Sequence, residues 1–190
     1  MTVPISPHTP AAELARLAYS PETGLRRQVA AHPNTPAEVL GGLAREFPAE
    51  VLNNPALPLL RLATPKLVTA WPARALEALS DLPDAPDWLL RVAAGHPVID
   101  VQLACVTHAQ LPEDVLEQLA SSPFWTIREY VARKPALPVP LLERLAQDRD
   151  YGVRITLAGR ADLSDRLREQ FQRDPHPLVR AVVQLHADAG

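Results

Sequence analysis

The chain has 190 residues, 47% of them hydrophobic, and a formal net charge of −3 at pH 7. This charge excludes a global basic field of the kind that draws a protein to nucleic acid or to an anionic membrane. The single cysteine, Cys105, excludes an internal disulfide framework, a zinc site of several cysteines and a cysteine-ligated iron–sulfur cluster.

The N-terminus has no basic segment followed by an apolar run, so it does not resemble a signal peptide. No stretch approaches the roughly 18 apolar residues of a membrane span. The chain has 17 arginines and two lysines, which we attribute to genome composition. We therefore expect a soluble, cytoplasmic protein of bacterial origin.

Proline is the compositional outlier, with 21 residues where about 5% is ordinary. The prolines fall in register, which predicts that they begin and end short helices. Thr9-Pro10 starts the first predicted helix, with Leu14, Leu17 and Ala18 at helical spacing. We call this a B-type helix, which is half of a repeat.

An A-type helix follows from Ser20-Pro21 and ends before Pro33. Thr35-Pro36 then starts the next B-type helix, and Glu38 is placed to complete a capping box with Thr35.

The middle of the chain is irregular. Residues 51–58 (VLNNPALP) match residues 29–36, but they come only 22 residues later. Residues 67–72 fit neither helix type, and Trp71 and Trp88 lie within or beside this zone. Two explanations remain open, namely an insertion that bends the superhelix and a repeat that has decayed.

Regularity returns at His96-Pro97. Val101, Ile127, Val153 and Val179 are each 26 residues apart, and a fixed period of this length is typical of stacked-repeat proteins. We expect an all-α solenoid of short helix pairs, with about six repeats and a half-repeat at each end. It forms one repeat domain over residues 1–190, regular at 1–44 and 95–190 and irregular at 45–94.

The leucine, Val-Arg, Val-Ala and proline positions resemble the leucine-rich repeat variant family, which is related in style to HEAT-like repeats. Residues 127–148 (IREYVARKPALPVPLLERLAQD) and 153–163 (VRITLAGRADL) carry the resemblance best. It covers most of the chain and is weak from about residue 45 to residue 94. The resemblance implies a right-handed superhelical stack that serves as a binding surface. One founding member type carries a cysteine-ligated iron–sulfur cluster, but those cysteines are lacking here, so we expect no cofactor.

Acidic and basic residues recur together at the 26-residue period. The acidic positions are Glu117, Glu143 and Glu169, and the basic positions are Arg128, Arg154 and Arg180. An arginine in such an apolar helix needs a partner. We expect a structural ladder, in which each arginine pairs with a glutamate or with Asp148, Asp150 and Asp174. The alternatives are an arginine stripe that binds an anionic ligand, and plain solvated charge.

A second column falls in the last turn of the A-type helices, at His32, Asn54, Asp81, His108, Lys134, Arg160 and His186. Cations there complement the helix dipole, which is one explanation. The other is that His32, His108, Lys134 and Arg160 form the rim of a partner-binding groove. Trp71, Trp88 and Trp125 are further candidate contacts, since exposed aromatic residues often supply hot spots, although packing between repeats is the more common role.

Catalysis has little support. The six histidines are dispersed without the i, i+4 spacing of a helical metal pair, and the sequence has neither a glycine-rich phosphate loop nor a GxSxG motif. Cys105 falls at a core position, where we expect an inert buried thiol. We therefore expect neither an enzyme nor a metal site.

The favoured function is a non-enzymatic scaffold that binds another protein through a preformed solenoid surface, with Trp71 as the first candidate contact. The alternative is a nucleic-acid-binding or DNA-repair protein of HEAT-like architecture, with rows of arginine, histidine and lysine on its concave face. The 22 acidic residues spread through every repeat weigh against it. A third prediction is end-to-end self-association, because Val182, Val183 and Leu185 make the last helix apolar.

Overall fold

The computed structural model describes residues 4–187, with side chains up to residue 185. This part of the chain forms fourteen α-helices and one 3₁₀ turn, without any strand, which confirms the all-α fold class. None of these helices is both long enough and apolar enough to cross a membrane. The chain divides into two compact units, residues 1–109 and residues 110–190.

The first unit contains eight α-helices and the 3₁₀ turn in its described part. They are α1 (Ala11–Leu17), α2 (Thr23–Ala31), α3 (Ala37–Leu43), α4 (Pro48–Leu52), α5 (Leu57–Ala63), the 3₁₀ turn (Val68–Ala70), α6 (Ala73–Ser80), α7 (Asp87–Ala94) and α8 (Ile99–Val106). The A-type helices form a row in which α2 packs on α4, α4 on α6 and α6 on α8. The B-type helices α1, α3 and α7 pack against members of this row.

The second unit repeats this arrangement with α9 (Glu113–Leu119), α10 (Trp125–Ala132), α11 (Val139–Leu145), α12 (Tyr151–Ala158), α13 (Asp165–Gln172) and α14 (Pro177–Ala187). The A-type helices α10, α12 and α14 pack on one another in sequence, and the B-type helices α9, α11 and α13 pack against them. This helix-pair packing is that of an α-solenoid. The superhelical handedness and the single domain stay predictions.

The B-type helices begin one residue later than the sequence predicts. Pro10, Pro36, Pro112 and Pro138 are N-cap residues in extended backbone rather than first helical residues. The capping box predicted at Thr35 is not formed, because the Thr35 hydroxyl donates to the Val29 carbonyl instead (2.6 Å from oxygen to oxygen). A buried hydroxyl needs an acceptor, and the end of the preceding A-type helix provides one.

The core lies between the two rows of helices. Ile127, Val131, Val153 and Leu157 are fully buried in the second unit, at the positions that the 26-residue period selects. Cys105 is also fully buried, and its sulfur lies 3.4 Å from the Leu90 carbonyl oxygen. The burial predicted for this thiol is therefore confirmed.

The irregular middle keeps the alternation of helix types, but α4 has only five residues. The segment after α5 returns Trp71 to α3, where the indole covers Gly41. A Cβ atom added at Gly41 would lie 2.6 Å from Trp71 Cδ1. Trp71 is only 6% exposed, which favours the packing role, and a partner contact through Trp71 stays a prediction.

The Trp71 packing predicts opposite effects of alanine at two adjacent glycines. Gly41→Ala forces the indole to move in a close-packed site, and we expect a loss of about 1–3 kcal/mol in the free energy of unfolding. Gly42 has no atom within 4 Å of its added Cβ, so Gly42→Ala is the matched control. It should gain about 0.5–1 kcal/mol by reducing the freedom of the unfolded chain. Urea unfolding measures both, and a neutral Gly41→Ala would contradict the packing.

Candidate partner-binding groove

Each A-type helix of the second unit is preceded by a turn that a short polar side chain closes. The Phe124 N–H donates to Ser122 Oγ at 3.2 Å. The Asp150 N–H donates to Asp148 Oδ1, and the His176 N–H donates to Asp174 Oδ1, both at 2.8 Å. Serine and aspartate favour this local bond to the N–H two residues later, so the sequence determines the turn locally.

An arginine six residues after each turn residue holds the turn carbonyl. The Nη1 atoms of Arg128, Arg154 and Arg180 donate to the carbonyl oxygens of Ser122, Asp148 and Asp174, at 2.7–2.8 Å. The turn carbonyls thus receive charge-assisted hydrogen bonds that no helical N–H supplies.

The remaining edge of the guanidinium binds the next turn. Arg128 donates to Asp148 through Nε and Nη2 at 2.6 and 2.8 Å. Arg154 donates to Asp174 in the same way, at 2.7 and 3.0 Å. The turns and arginines of successive repeats therefore form a continuous chain of hydrogen bonds along one edge of the unit, and we call it the turn ladder.

The turn ladder selects between the two pairings left open by the sequence. Arg128 and Arg154 pair with Asp148 and Asp174 rather than with glutamates of the B-type helices. Of those glutamates, Glu143 accepts from Arg166 Nη1 at 3.0 Å instead. Asp150, also considered as a partner, instead caps α12 by accepting from the Gly152 N–H.

The same device occurs once in the first unit, where the sequence reading missed it. Arg26 Nη1 donates to the Ser20 carbonyl at 2.7 Å, and the Arg26 guanidinium pairs with Glu46. The signal was present, because each of these carboxylates follows its arginine by 20 residues. Reading the period only in steps of 26 residues conceals this spacing.

The two arginine–aspartate pairs of the turn ladder are buried. The exposed fractions of the Arg128 and Asp148 side chains are 6% and 7%, and those of Arg154 and Asp174 are 12% and 6%. Burial by itself would raise the pKa of Asp148, but hydrogen bonds from Arg128 and the Asp150 N–H outweigh it and hold the pKa below its usual range. For Asp174, burial is likewise opposed by Arg154 and the His176 N–H, and the pKa is lowered.

A groove runs over the turn ladder. One part of it has a volume of 510 Å³ and is lined by Ser121, Ser122, Pro123, Arg128, Asp148 and Arg149. A second part of 620 Å³ is lined by Ala146–Asp148, Arg154, Arg166, Glu169, Gln170 and Arg173–Pro175. The two parts are shallow and share Asp148, so the turns of successive repeats line adjoining depressions. Arg149 and Arg173 are exposed in it.

Aromatic rings follow the turns along this edge. Trp125 and Tyr151 are the first residues of α10 and α12, and each is 47% exposed. Trp125 packs over Gly152, whose added Cβ would lie 3.5 Å from its ring. Tyr151 stacks on His176, with ring centroids 3.9 Å apart and planes 6° from parallel. Of the three predicted tryptophans, Trp125 thus has the placement of an exposed anchor.

The column in the last turn of the A-type helices points back into the fold. The ring of His32 contacts the Ser6 carbonyl oxygen, and that of His108 contacts the Ser80 carbonyl oxygen. Arg160 Nη1 donates to the carbonyls of Ala132 and Lys134. Lys134 is half-buried, and His186 has its side chain outside the described residues. These contacts favour the structural explanation, and a partner-binding role for His32, His108, Lys134 and Arg160 stays a prediction.

Trp88, the third predicted tryptophan, is half-buried in the first unit. The Arg61 guanidinium lies over its ring, with Cζ 3.3 Å from the ring centroid. Within the described part of the chain, no group of three or more histidine, cysteine, aspartate or glutamate side chains is arranged to hold a metal ion.

Residues 125–150 match the family model described as leucine rich repeat variant. The match begins at the first residue of α10 and ends at Asp150, the N-cap of α12, so it spans one full period with Arg128 and Asp148. The chain therefore contains a leucine rich repeat variant repeat, and the family resemblance is confirmed there. Neither a curated protein nor a solved structure matches the chain.

The turn ladder predicts a large cost for removing one buried carboxylate. Asp148→Asn keeps the side-chain size and the turn acceptor but leaves Arg128 buried without an opposite charge. We expect a loss of about 3 kcal/mol in the free energy of unfolding. Glu143→Gln is the matched control, since its pair with Arg166 is exposed, and it should cost less than about 1 kcal/mol. Equal costs in urea unfolding would contradict the buried pairing.

The turn ladder also predicts a pH dependence. The pKa values of Asp148 and Asp174 are lower in the folded chain than their unfolded values of about 3.9. Near these pKa values the folded state therefore binds fewer protons than the unfolded state. Their stabilisation is complete above the unfolded pKa and is lost as the pH falls through the folded pKa. Urea unfolding between about pH 7 and about pH 3 should therefore show stability falling below about pH 4. The fall should be shallower in Asp148→Asn, and parallel curves would contradict the assignment.

Proposed function

We propose that the protein is a non-enzymatic repeat scaffold that binds another protein along the groove over the turn ladder. The observation that carries this proposal is the continuity of the groove across two successive repeats, with exposed rings beside it. The leucine rich repeat variant match supports a repeat scaffold in general terms. We further propose that the protein is cytoplasmic and bacterial, as the composition suggests.

The groove suits a protein segment more than a small molecule. Its walls are open and carry side chains from turns that lie about one period apart, so an extended chain can contact several of them at once. Tyr151 and Trp125 offer large, rigid apolar surfaces of the kind that form hot spots. Because the ladder fixes the turns before binding, little ordering cost is added when the partner docks.

The charges favour an acidic segment. Arg128 and Arg154 are neutralised by Asp148 and Asp174, so they contribute little net field. Arg149 and Arg173 are exposed beside the ladder, one residue after Asp148 and one residue before Asp174, respectively. We infer that these two arginines bind carboxylates of the partner, while Trp125 and Tyr151 bind its apolar side chains.

The same neutralisation weakens the nucleic-acid alternative. Phosphate binding needs arginines and lysines free to replace counterions. In the second unit, the two most regular arginines of the row are committed to aspartates, and Glu169 lines the groove as well.

Affinity capture from the source cell's lysate tests the proposal with matched variants. Trp125→Ala and the double variant Arg149→Glu/Arg173→Glu should each weaken capture of a defined protein by roughly tenfold or more. Tyr19→Ala, at a residue 88% exposed in the first unit, is the aromatic control. Arg16→Glu/Arg45→Glu, at two exposed arginines of that unit, is the charge control. Both controls should capture as the wild type does.

Two outcomes would contradict the proposal. If both groove variants retain the partner, the groove is not its binding site. If the recovered material is nucleic acid that nuclease treatment or moderate salt releases, the scaffold interpretation itself is wrong.

A further inference from the structure

Arg61, in the irregular middle of the first unit, differs from the other sheltered arginines. Within the described side chains, seven arginines are buried or half-buried: Arg26, Arg61, Arg128, Arg154, Arg160, Arg168 and Arg180. Six of them donate hydrogen bonds to carboxylate or carbonyl oxygens of the protein. Arg61 has no such acceptor in this part of the chain. Its contact is the ring of Trp88, with Cζ 3.3 Å from the ring centroid.

Stacking on an indole satisfies the face of a guanidinium but not its N–H groups. The five N–H bonds lie in the plane of the guanidinium, at its edges. Burial lowers the pKa of Arg61, so the group is partly desolvated without an opposite charge. A sheltered cation with free donors is costly unless a further acceptor reaches it.

The site of Arg61 is concave. It lines a pocket of 230 Å³ together with Leu52, Asn53, Leu57, Pro58, Asp84, Pro86 and Trp88. Leu57 is buried at this site, and Pro58 is exposed on the same helix as Arg61. The pocket thus combines one oriented cation with apolar walls, which is the composition of a specific ligand site.

The opposite charge in the pocket is not used by Arg61. Asp84 lines the same pocket, yet it forms no ion pair with Arg61 within 4.0 Å. A ligand with both a carboxylate and a neighbouring N–H therefore has a separate partner for each group.

We propose that this pocket binds a peptide carboxylate next to an apolar side chain, with Arg61 receiving the carboxylate. Trp88 holds the guanidinium flat, so that its edge is oriented before the ligand arrives. The apolar side chain packs on Pro58, Leu57 and Trp88, and Asp84 accepts the peptide N–H. The site belongs to the first unit and does not depend on the groove over the turn ladder.

NMR titration of the full chain with N-acetyl-leucine tests the proposal, because this probe carries a carboxylate, a leucine side chain and one N–H. The resonances to follow are the Trp88 indole N–H and the Arg61 Nε–H. We expect both to shift saturably in the millimolar range, as befits so small a ligand. N-acetyl-leucinamide has the same shape without the charge and should bind about tenfold more weakly or not at all.

Variants separate a ligand site from a purely structural stack. Arg61→Gln should abolish the N-acetyl-leucine shift at Trp88, whereas Arg74→Gln, which removes an exposed charge of the same unit, should leave it unchanged. If Arg61→Gln shifts the Trp88 resonance even without ligand, the substitution has disturbed the stack, and Arg61→Lys is the variant to compare with the wild type. Lysine keeps the charge but lacks the planar fork, so we expect clearly weaker binding than in the wild type.

Four outcomes would overturn the proposal. One is the absence of a saturable shift in the wild type. Another is an equal shift with N-acetyl-leucinamide, which would make the contact merely apolar. A third is an equal shift with sodium chloride at matched ionic strength, which would reduce the site to general anion screening. The last is wild-type binding that persists in both Arg61→Gln and Arg61→Lys.

Discussion

The joints between short helices determine this fold, because each joint leaves backbone carbonyls that no helix can satisfy. In the second unit, Arg128 and its equivalent Arg154 each bind two successive turns. The Nη1 atom of Arg128 binds the carbonyl of its own turn, and its Nε–Nη2 edge binds the aspartate that closes the next turn. Since the aspartate also accepts a backbone N–H, the charge is satisfied on all sides. Apolar packing draws the helices together without direction, whereas this contact fixes how one repeat is aligned on the next.

This constraint limits which residues remain for function. An arginine that holds two turns cannot also bind a phosphate, so Arg128 and Arg154 are committed to the fold. The neighbouring Arg149 and Arg173 are exposed, because they lie on the same turns but outside the buried pairs, and Arg149 also donates to the Pro123 carbonyl at 3.2 Å. The helix starts likewise expose Trp125 and Tyr151, whose rings rest on the following repeat. The turn ladder therefore makes the edge rigid, and the residues beside it give the edge its chemistry.

The sequence predicts the helices, their two types and the need of Arg128 and Arg154 for partners, since these follow from periodicity and from the cost of a buried charge. It does not select Asp148 over Glu117, because that choice depends on which turn lies beside the arginine in space. For the same reason the sequence does not predict where the side chains of the last-turn column lie. His32 and Arg160 contact carbonyls about one repeat earlier in the chain. The sequence also does not predict the burial of Trp71, because a break in the pattern looks the same whether the ring is exposed or fills a gap over Gly41.

The break in the pattern nonetheless has a physical consequence in the first unit. Where the repeat is regular, an arginine six residues after a turn finds a carbonyl and then a carboxylate. In the irregular middle, Leu52 occupies the corresponding place after Glu46, and the half-buried arginine of this region, Arg61, lies on a B-type helix instead. Turn residues Asn53 and Asp84 line its pocket, but among the described residues none accepts a hydrogen bond from it, and its contact is the Trp88 ring. In the regular repeats Arg128 and Arg154 are paired within the fold, so ligand contacts are left to the exposed residues beside them. The irregular middle leaves the N–H groups of the Arg61 guanidinium unused, and a ligand carboxylate can accept from them.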